Sequence, residues 1–503
     1  WGYRTKAFGQ LGGDAKSPDY VLSNTGERRA SGQARLYYTD TTLNFDIGYS
    51  VFAQESGILR AAHIGNLTDL RRALETGEPQ VIRPFTYEID APRQASLHHW
   101  LTANATNALP AGAEVELSYS TQLNARQEYD VRRGGRSAEP SLDLSLTTHE
   151  IRAAYRHQEL KGWRGQLGLS ALTAANRNLA TTGARPFVPY YDEQGVGIFA
   201  EERHVAGDWT YELAGRVDVA QIVAASRVNN EQGQSIVVET ERSNVTGALA
   251  AGAARYSGAR SLRMRVAFAS RAPNPAERFA SGVHHALAVI EEGNVDLVSE
   301  QGVKATLGYG YEPMEGKGIH VSGFVHGFRD FIFQRRLPEP VLTVRGAFPV
   351  VRYEQGDALL AGLNVDVHSP IGPLQLDIET GYLYGRLSDG EPLPDIAPLR
   401  TRGELSFSEG QTGRLKDWRI GLSILHVAQQ NQAPEFLPAP PPSGYLLTGL
   451  SLSGHLALGQ HVLGLHLTGH NLLDVRYRDY LDRLRYYADR PGRDVRLRLL
   501  YDF

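Results

Sequence analysis

The chain has no cysteine, which excludes structural disulfides, thiolate metal sites and cysteine nucleophiles. Any metal is left to His, Asp, Glu or backbone oxygen. Charge of one sign is not in excess either, with 52 Lys and Arg against 56 Asp and Glu. Without a basic run the footprint of a nucleic-acid binder is missing, and no nucleic acid is expected as a partner. No stretch approaches the roughly 18 consecutive apolar residues of a membrane-spanning helix, and the mean hydropathy is -0.33. That average says little about a membrane barrel, in which only alternate residues face lipid. Catalytic loops are missing too: there is no GxSxG, HExxH or Walker loop, and the scattered Ser, His and Asp residues assemble no triad. The chain reads as non-enzymatic, and the glycine-rich GQLGG and RRGG read as turns.

What is present is alternation. Leu43, Phe45, Ile47, Tyr49 and Val51 take every second position, as do Val115, Leu117, Tyr119, Thr121 and Leu123. The pattern returns around Trp209, Leu262, Val303 and Leu374, and each run has about the 9 to 11 residues that a tilted strand needs to cross a bilayer. The last ten residues, DVRLRLLYDF, have one apolar and one charged face and stop on Phe503, the form of a closing strand in an outer-membrane barrel. A soluble propeller or a string of sandwiches would turn about every 8 to 12 residues. This chain often runs longer.

Short and long connections take turns. Short ones fall near Asp40 and at residues 109–112, 159–162, 206–208, 257–260, 313–318, 370–373 and 457–460. Long polar segments lie between them, among them 54–93, 125–142, 224–243, 271–301, 329–355 and 473–490. All short turns then share one side and all long loops the other, the asymmetry of periplasmic turns and extracellular loops. About ten hairpins, hence about twenty strands, follow, in one all-β, transmembrane, antiparallel up-and-down barrel. The apolar stretch Val341 to Val344, beside Pro338 and Pro340, leaves room for one hairpin more. Within 54–93, Leu67, Leu70, Ala73 and Leu74 share a face at helical spacing and predict a short helix. Trp209, Tyr211, Tyr309, Tyr311, Trp418 and Tyr501 fit the aromatic girdles at the bilayer surfaces.

Asn471 to Phe503, NLLDVRYRDYLDRLRYYADRPGRDVRLRLLYDF, resembles the C-terminal signature of TonB-dependent outer-membrane receptors. RAPNPAERF (Arg271 to Phe279), EGNVDLVSEQ (Glu292 to Gln301), HIGNLTDL (His63 to Leu70), EYDVRRGG (Glu128 to Gly135), RGAFP (Arg345 to Pro349) and VRYEQGDALLAGL (Val351 to Leu363) are similar to further family segments. The resemblance covers essentially the whole chain. It implies a barrel of about 22 strands in a Gram-negative outer membrane, with TonB and the outer-membrane lipids as partners. It also implies a plug domain ahead of the barrel. Trp1 falls where the family's first barrel strand begins, so residues 1–503 are expected to be a single barrel domain without the plug. The plug is then removed, supplied by another chain, or truly lacking. The resemblance implies active uptake of a scarce nutrient: zinc first as a divalent cargo, a siderophore or haem next. A plugless barrel acting as a pore or scaffold with other envelope proteins is the alternative of another class.

The sharpest chemical cluster is Ser281 to Asp296, where His284, His285, Glu291, Glu292 and Asp296 are all ligands that could hold zinc. A solvated polar loop would carry the same residues, because spacing alone fixes no coordination geometry. His320 and His326 share strand parity with Ser322, which points them into the lumen, where a ligand or plain water could meet them. His63, beside the loop helix, and the pair Arg132 and Arg133 are further candidates for substrate contact. Two guanidinium groups can clasp a carboxylate or phosphate, and a salt bridge within the loop is the plainer use.

Overall fold

The computed structural model describes residues 1–132, 135–179, 182, 187–229, 235–343, 346–459 and 461–502, excluding the side chains of 227–229, 235, 285 and 502. The alternating runs form one 22-stranded sheet. Two of the 22 strands, Ser281–His284 and Val289–Glu292, make a short hairpin in a loop, and the other 20 are long. Their lengths run from 9 residues in Asp494–Asp502 to 23 in Ser235–Ser257. Each long strand pairs antiparallel with the next, from Gly2–Gly12 with Glu27–Thr39 to His461–His470 with Asp494–Asp502. One pairing is parallel: Ile290–Glu292 of the loop hairpin lies along Val350–Arg352 and docks the hairpin on the wall.

Most of the short turns close with glycine in the left-handed region, as at Gly207 (φ 59°) between Ala206 and Trp209. That conformation matches the twist of the flanking strands, and a Cβ would strain it. One turn escaped the sequence reading, Gly413 between Thr412 and Leu415. Ser408, Glu409, Gln411 and Thr412 make both faces of that strand end polar, so alternation vanishes there. The expected loop 224–243 is instead mostly strand: Trp209–Asn229 and Ser235–Ser257 stay in register up to Asn229 and Ser235. Polar residues mark a ribbon that has left the hydrocarbon, and β-branched Ile236, Val237 and Val238 keep it extended. The extra hairpin near Val341 exists as Val341–Thr343 with Gly346–Phe348, a loop element outside the wall. The loop helix α1, Leu67–Thr76, is capped by Asn66, whose side chain accepts from the Asp69 N–H, and ends at left-handed Gly77.

On the inner wall, aromatic rings lie over glycines of the neighbouring strand. A Cβ on Gly168 would sit 2.2 Å from the Phe199 ring, and one on Gly362 would sit 2.3 Å from the Phe324 ring. Phe199 also carries the Arg152 guanidinium 4.3 Å over its face, and Lys304 stands 4.3 Å over Phe324. Near the short-turn end, on the outer wall, Trp163 stacks on His204 and Trp209 on Tyr211.

The main apolar core lies among the long loops. Leu22, Leu59, Ile64, Leu70, Phe348 and Tyr487 are buried together, drawn from four separate connections. Polar ties hold this cap. Asp489, buried beneath it, accepts from Nε of Arg476 (2.6 Å), Nε of Arg478 (2.7 Å) and the Tyr20 hydroxyl (3.0 Å). Arg478 reaches on to the Gly77 carbonyl at the end of α1 (2.5 Å).

Candidate functional site

The loop hairpin Ser281–His284/Val289–Glu292 turns one face toward the cap and the other toward the upper wall. Antiparallel register sets His284 opposite Val289, and its Nδ1 lies 2.7 Å from Oε1 of Glu291. The other oxygen of Glu291 accepts from the Tyr353 hydroxyl at 3.1 Å. Across the site, Nη2 of Arg126 stands 3.5 Å from Nε2 of His284 and is paired with Glu128. The Phe187 ring covers the imidazole at 5.0 Å. Glu128 and Glu291 are 1% and 3% exposed. Two buried carboxylates, Arg126 and His284 therefore form one knot, with one negative charge left over while the imidazole is neutral. A buried carboxylate is costly unless it is hydrogen-bonded and paired, and here each is held by the other members.

The remaining candidates are spread more widely. Glu292 turns to Arg352, which donates to it from Nε (2.9 Å) and Nη2 (2.7 Å). Asp296 lies past the hairpin, its N–H bonded to the Asn294 side chain at 3.0 Å. The side chain of His285 lies outside the described residues, as does Arg133. Among the described residues, no three or more His, Asp and Glu side chains are arranged to hold a metal ion. Arg132 staples its own loop, donating to the Pro140 carbonyl at 3.3 Å, with Glu139 at 4.0 Å.

His63 belongs to the cap. It follows the turn Arg60–Ala62, meets the Phe348 ring edge-on at 6.2 Å, and offers its carbonyl to Nη1 of Arg60 at 2.8 Å. Burial, with the Arg60 charge beside it, pushes the imidazole pKa down to about 3, so His63 is neutral at any ordinary pH. His320 and His326 pair across the wall with Asp366 and Lys304. His320 is 2.8 Å from Glu312, and the His326 ring lies tilted against Phe328, with 3.7 Å between ring centres. Six residues of strand separate them, so the structure does not bring them to one site with His284.

Arg126, Glu128 and Tyr353 are the members the sequence reading missed. Glu128 opens EYDVRRGG, a segment read for its arginines. Its signal was faint: an acidic residue on the lumen parity of Gln122, Asn124 and Arg126, next to a loop.

Residues 2–472 match the family model described as TonB dependent receptor-like, beta-barrel. The chain belongs to the TonB-dependent receptors. The members of this family are transporters of the outer membrane and not enzymes. No curated protein sequence matches the chain. Among solved structures it is similar to the copper transporter OprC (TM-score 0.74, 16% identity, covering 98% of this chain and 75% of that one). It is similar as well to the ferric-catecholate import receptor Fiu from E. coli K12 (0.71, 13%, 98% and 76%). A third likeness is to the FrpB iron transporter from Neisseria meningitidis (0.68, 13%, 98% and 76%). At such identities the likeness speaks for the fold.

Proposed function

We propose that this TonB-dependent receptor takes up a divalent metal, zinc first, or a chelate of one, and that the cargo is met at His284 and Glu291. The observation that carries the reading is the hydrogen-bond order around His284. If Arg126 donates to Nε2, the ring proton sits on Nδ1 and is given to Glu291, which leaves a lone pair on Nε2 facing the site. An imidazole with a carboxylate behind it is the usual arrangement of a metal-ligating histidine, because the carboxylate fixes the tautomer and raises the basicity of the ligating nitrogen. The excess negative charge of the knot favours a cation, and Arg126 is the group that an arriving metal would displace. That similar folds carry the names of copper and iron transporters supports metal cargo as a class.

Zinc titration of the purified protein followed by calorimetry tests the reading. Affinity falls in His284→Ala, and falls further if His285→Ala is added; unchanged binding in both would move the cargo elsewhere. The reading treats residues 1–503 as one barrel domain working with a plug and TonB. Intact mass of the protein purified from membranes addresses that part: a mass equal to these residues, without a companion plug chain, favours the pore or scaffold alternative.

A further inference from the structure

The loops hold a second charged cluster, opposite in sign to the knot at His284. Arg336 ends the strand Lys317–Arg336, and Arg485 lies in the last long loop. Both guanidinium groups meet the Tyr486 ring, at 5.4 Å and 4.5 Å from its centre. Arg485 also stands 4.7 Å over the Tyr480 ring. It donates from Nη2 to the Tyr486 hydroxyl at 2.6 Å and from Nη1 to the Asp482 carbonyl at 3.2 Å. Arg485, Tyr480 and Tyr486 are buried, and Arg336 is half-buried.

No carboxylate answers these charges. Among the described residues neither arginine has an ion pair, and Arg336 makes no hydrogen bond; the groups whose charge reaches it are Arg485, Tyr486 and Tyr487. Nearby acids are engaged elsewhere, Asp482 with Arg490 at 2.9 Å and Asp395 opposite Arg483 at 3.6 Å. The adjacent Arg335 shows the contrast, since it donates to both Glu354 (2.6 Å) and Glu391 (2.7 Å). Tyrosine faces soften the field of a cation, but neutral phenols do not cancel two like charges. A buried cation is costly unless it is paired. The Tyr480 hydroxyl adds a buried proton with no acceptor among the described residues.

The cluster is rich in donors and lacks a negatively charged acceptor. A carboxylate or phosphate supplies that, with oxygens spaced to take guanidinium N–H groups in pairs. Strand register sets Arg336 opposite Val351, so Tyr353 is its diagonal neighbour on the same face, about 7–8 Å away. Tyr353 in turn holds Glu291. The two poles therefore lie side by side, and the Glu291 charge is not among those that reach Arg336. We propose that Arg336 and Arg485 form a binding site for a small oxyanion, a carboxylate or a phosphate. The site is separate from the one at His284 and does not depend on the metal reading.

Calorimetric titration of the detergent-purified protein at fixed ionic strength tests it, with citrate, inorganic phosphate, zinc citrate and chloride as probes. An oxyanion saturates the native protein, and its affinity falls about 10- to 100-fold in Arg336→Gln, the loss of a charge-assisted hydrogen bond. Arg336→Lys, which keeps the charge and loses the fork, falls less. Binding of citrate or phosphate alone assigns a free oxyanion; binding of zinc citrate alone, with free-zinc affinity unchanged in Arg336→Gln, assigns one carried on a metal chelate. Loss of zinc affinity in His284→Ala with citrate affinity kept tells the fates of the two sites apart. Phenylglyoxal labelling of the native protein needs no variant: citrate or zinc citrate should shield Arg336 and leave exposed Arg71 on α1 labelling at an unchanged rate. Binding by none of the three oxyanion probes, equal affinity in native protein and Arg336→Gln, competition by chloride at equal concentration, or unshielded Arg336 would each overturn the proposal.

Discussion

Nδ1 of His284 and Oε1 of Glu291 stand 2.7 Å apart across a four-residue-per-strand hairpin that is itself docked in parallel on the barrel wall. The imidazole is thereby held at one orientation by an element that cannot swing freely. Glu291→Gln keeps the shape and removes the charge, and it is expected to weaken zinc binding by about 10- to 100-fold, the range for loss of a supporting carboxylate. Titration with calorimetry reads this directly. Affinity within twofold of native would remove Glu291 from the site.

Asp489 ties its own loop to that of Tyr20, and Arg478 carries the tie on to a third at Gly77. Burial raises its pKa, and the hydrogen bonds and charges of Arg478 and Arg476 outweigh that and hold the carboxyl below its ordinary value. A depressed carboxylate pKa gives stability that is present above the unfolded value and lost as pH falls through the folded one. Asp489→Asn is expected to cost about 1 to 3 kcal/mol in the cap, discounted because Arg476 is half exposed. Hydrogen exchange at Tyr20 and Gly77 should quicken while the wall strands stay protected; unchanged exchange would mean that apolar packing alone holds the loops.

His63 predicts a different pH response. Its folded pKa of about 3 lies below the ordinary imidazole value of 6.5, so the unfolded loop binds more protons between those limits and cap stability rises with pH across them. Limited proteolysis within residues 58–92 is expected to accelerate as pH drops from about 6.5 toward 3. His63→Leu should flatten that slope, and a slope unaltered by the substitution would assign it to other groups.

Gly168 and Phe199 form a complementary pair on the inner wall. Gly168→Ala puts a methyl 2.2 Å from the ring and 2.8 Å from the Ala153 carbonyl, so the ring must move. Overpacking of this kind costs typically about 1 to 3 kcal/mol. Thermal melting of the barrel should drop in Gly168→Ala and recover in part in Gly168→Ala/Phe199→Leu; additive losses would show that the two residues do not share the strain.

The wall was legible in sequence because a strand with lipid on one side and water on the other writes its period into the residues, as Leu43 to Val51 do. Helix α1 was legible for a similar reason, since Leu67, Leu70 and Ala73 mark its buried side. Where both faces turn polar the period is erased, so the ribbon above the bilayer was read as loop and the turn at Gly413 was missed. The site fared differently. His284 and Glu291 stand seven residues apart and could be suspected together, whereas Tyr353 reaches them through the parallel docking of the hairpin on Val350–Arg352 and Arg126 across the site from a strand far off in sequence, relationships that no local pattern records.

The cap has a consequence for how the protein is made. Its core joins Leu22, Leu70, Phe348 and Tyr487, residues separated by nearly the full length of the chain, while the wall grows by pairing sequence neighbours. Contacts of such wide separation form late, so the barrel is expected to enter the membrane with its mouth still unassembled. Competence to bind then trails insertion, and pulse proteolysis during refolding should find the wall resistant before residues 58–92 are. An interval follows in which the molecule is already a membrane protein and not yet a receptor, with the apolar faces of its loops open to whatever assembly factor or stray partner meets them first.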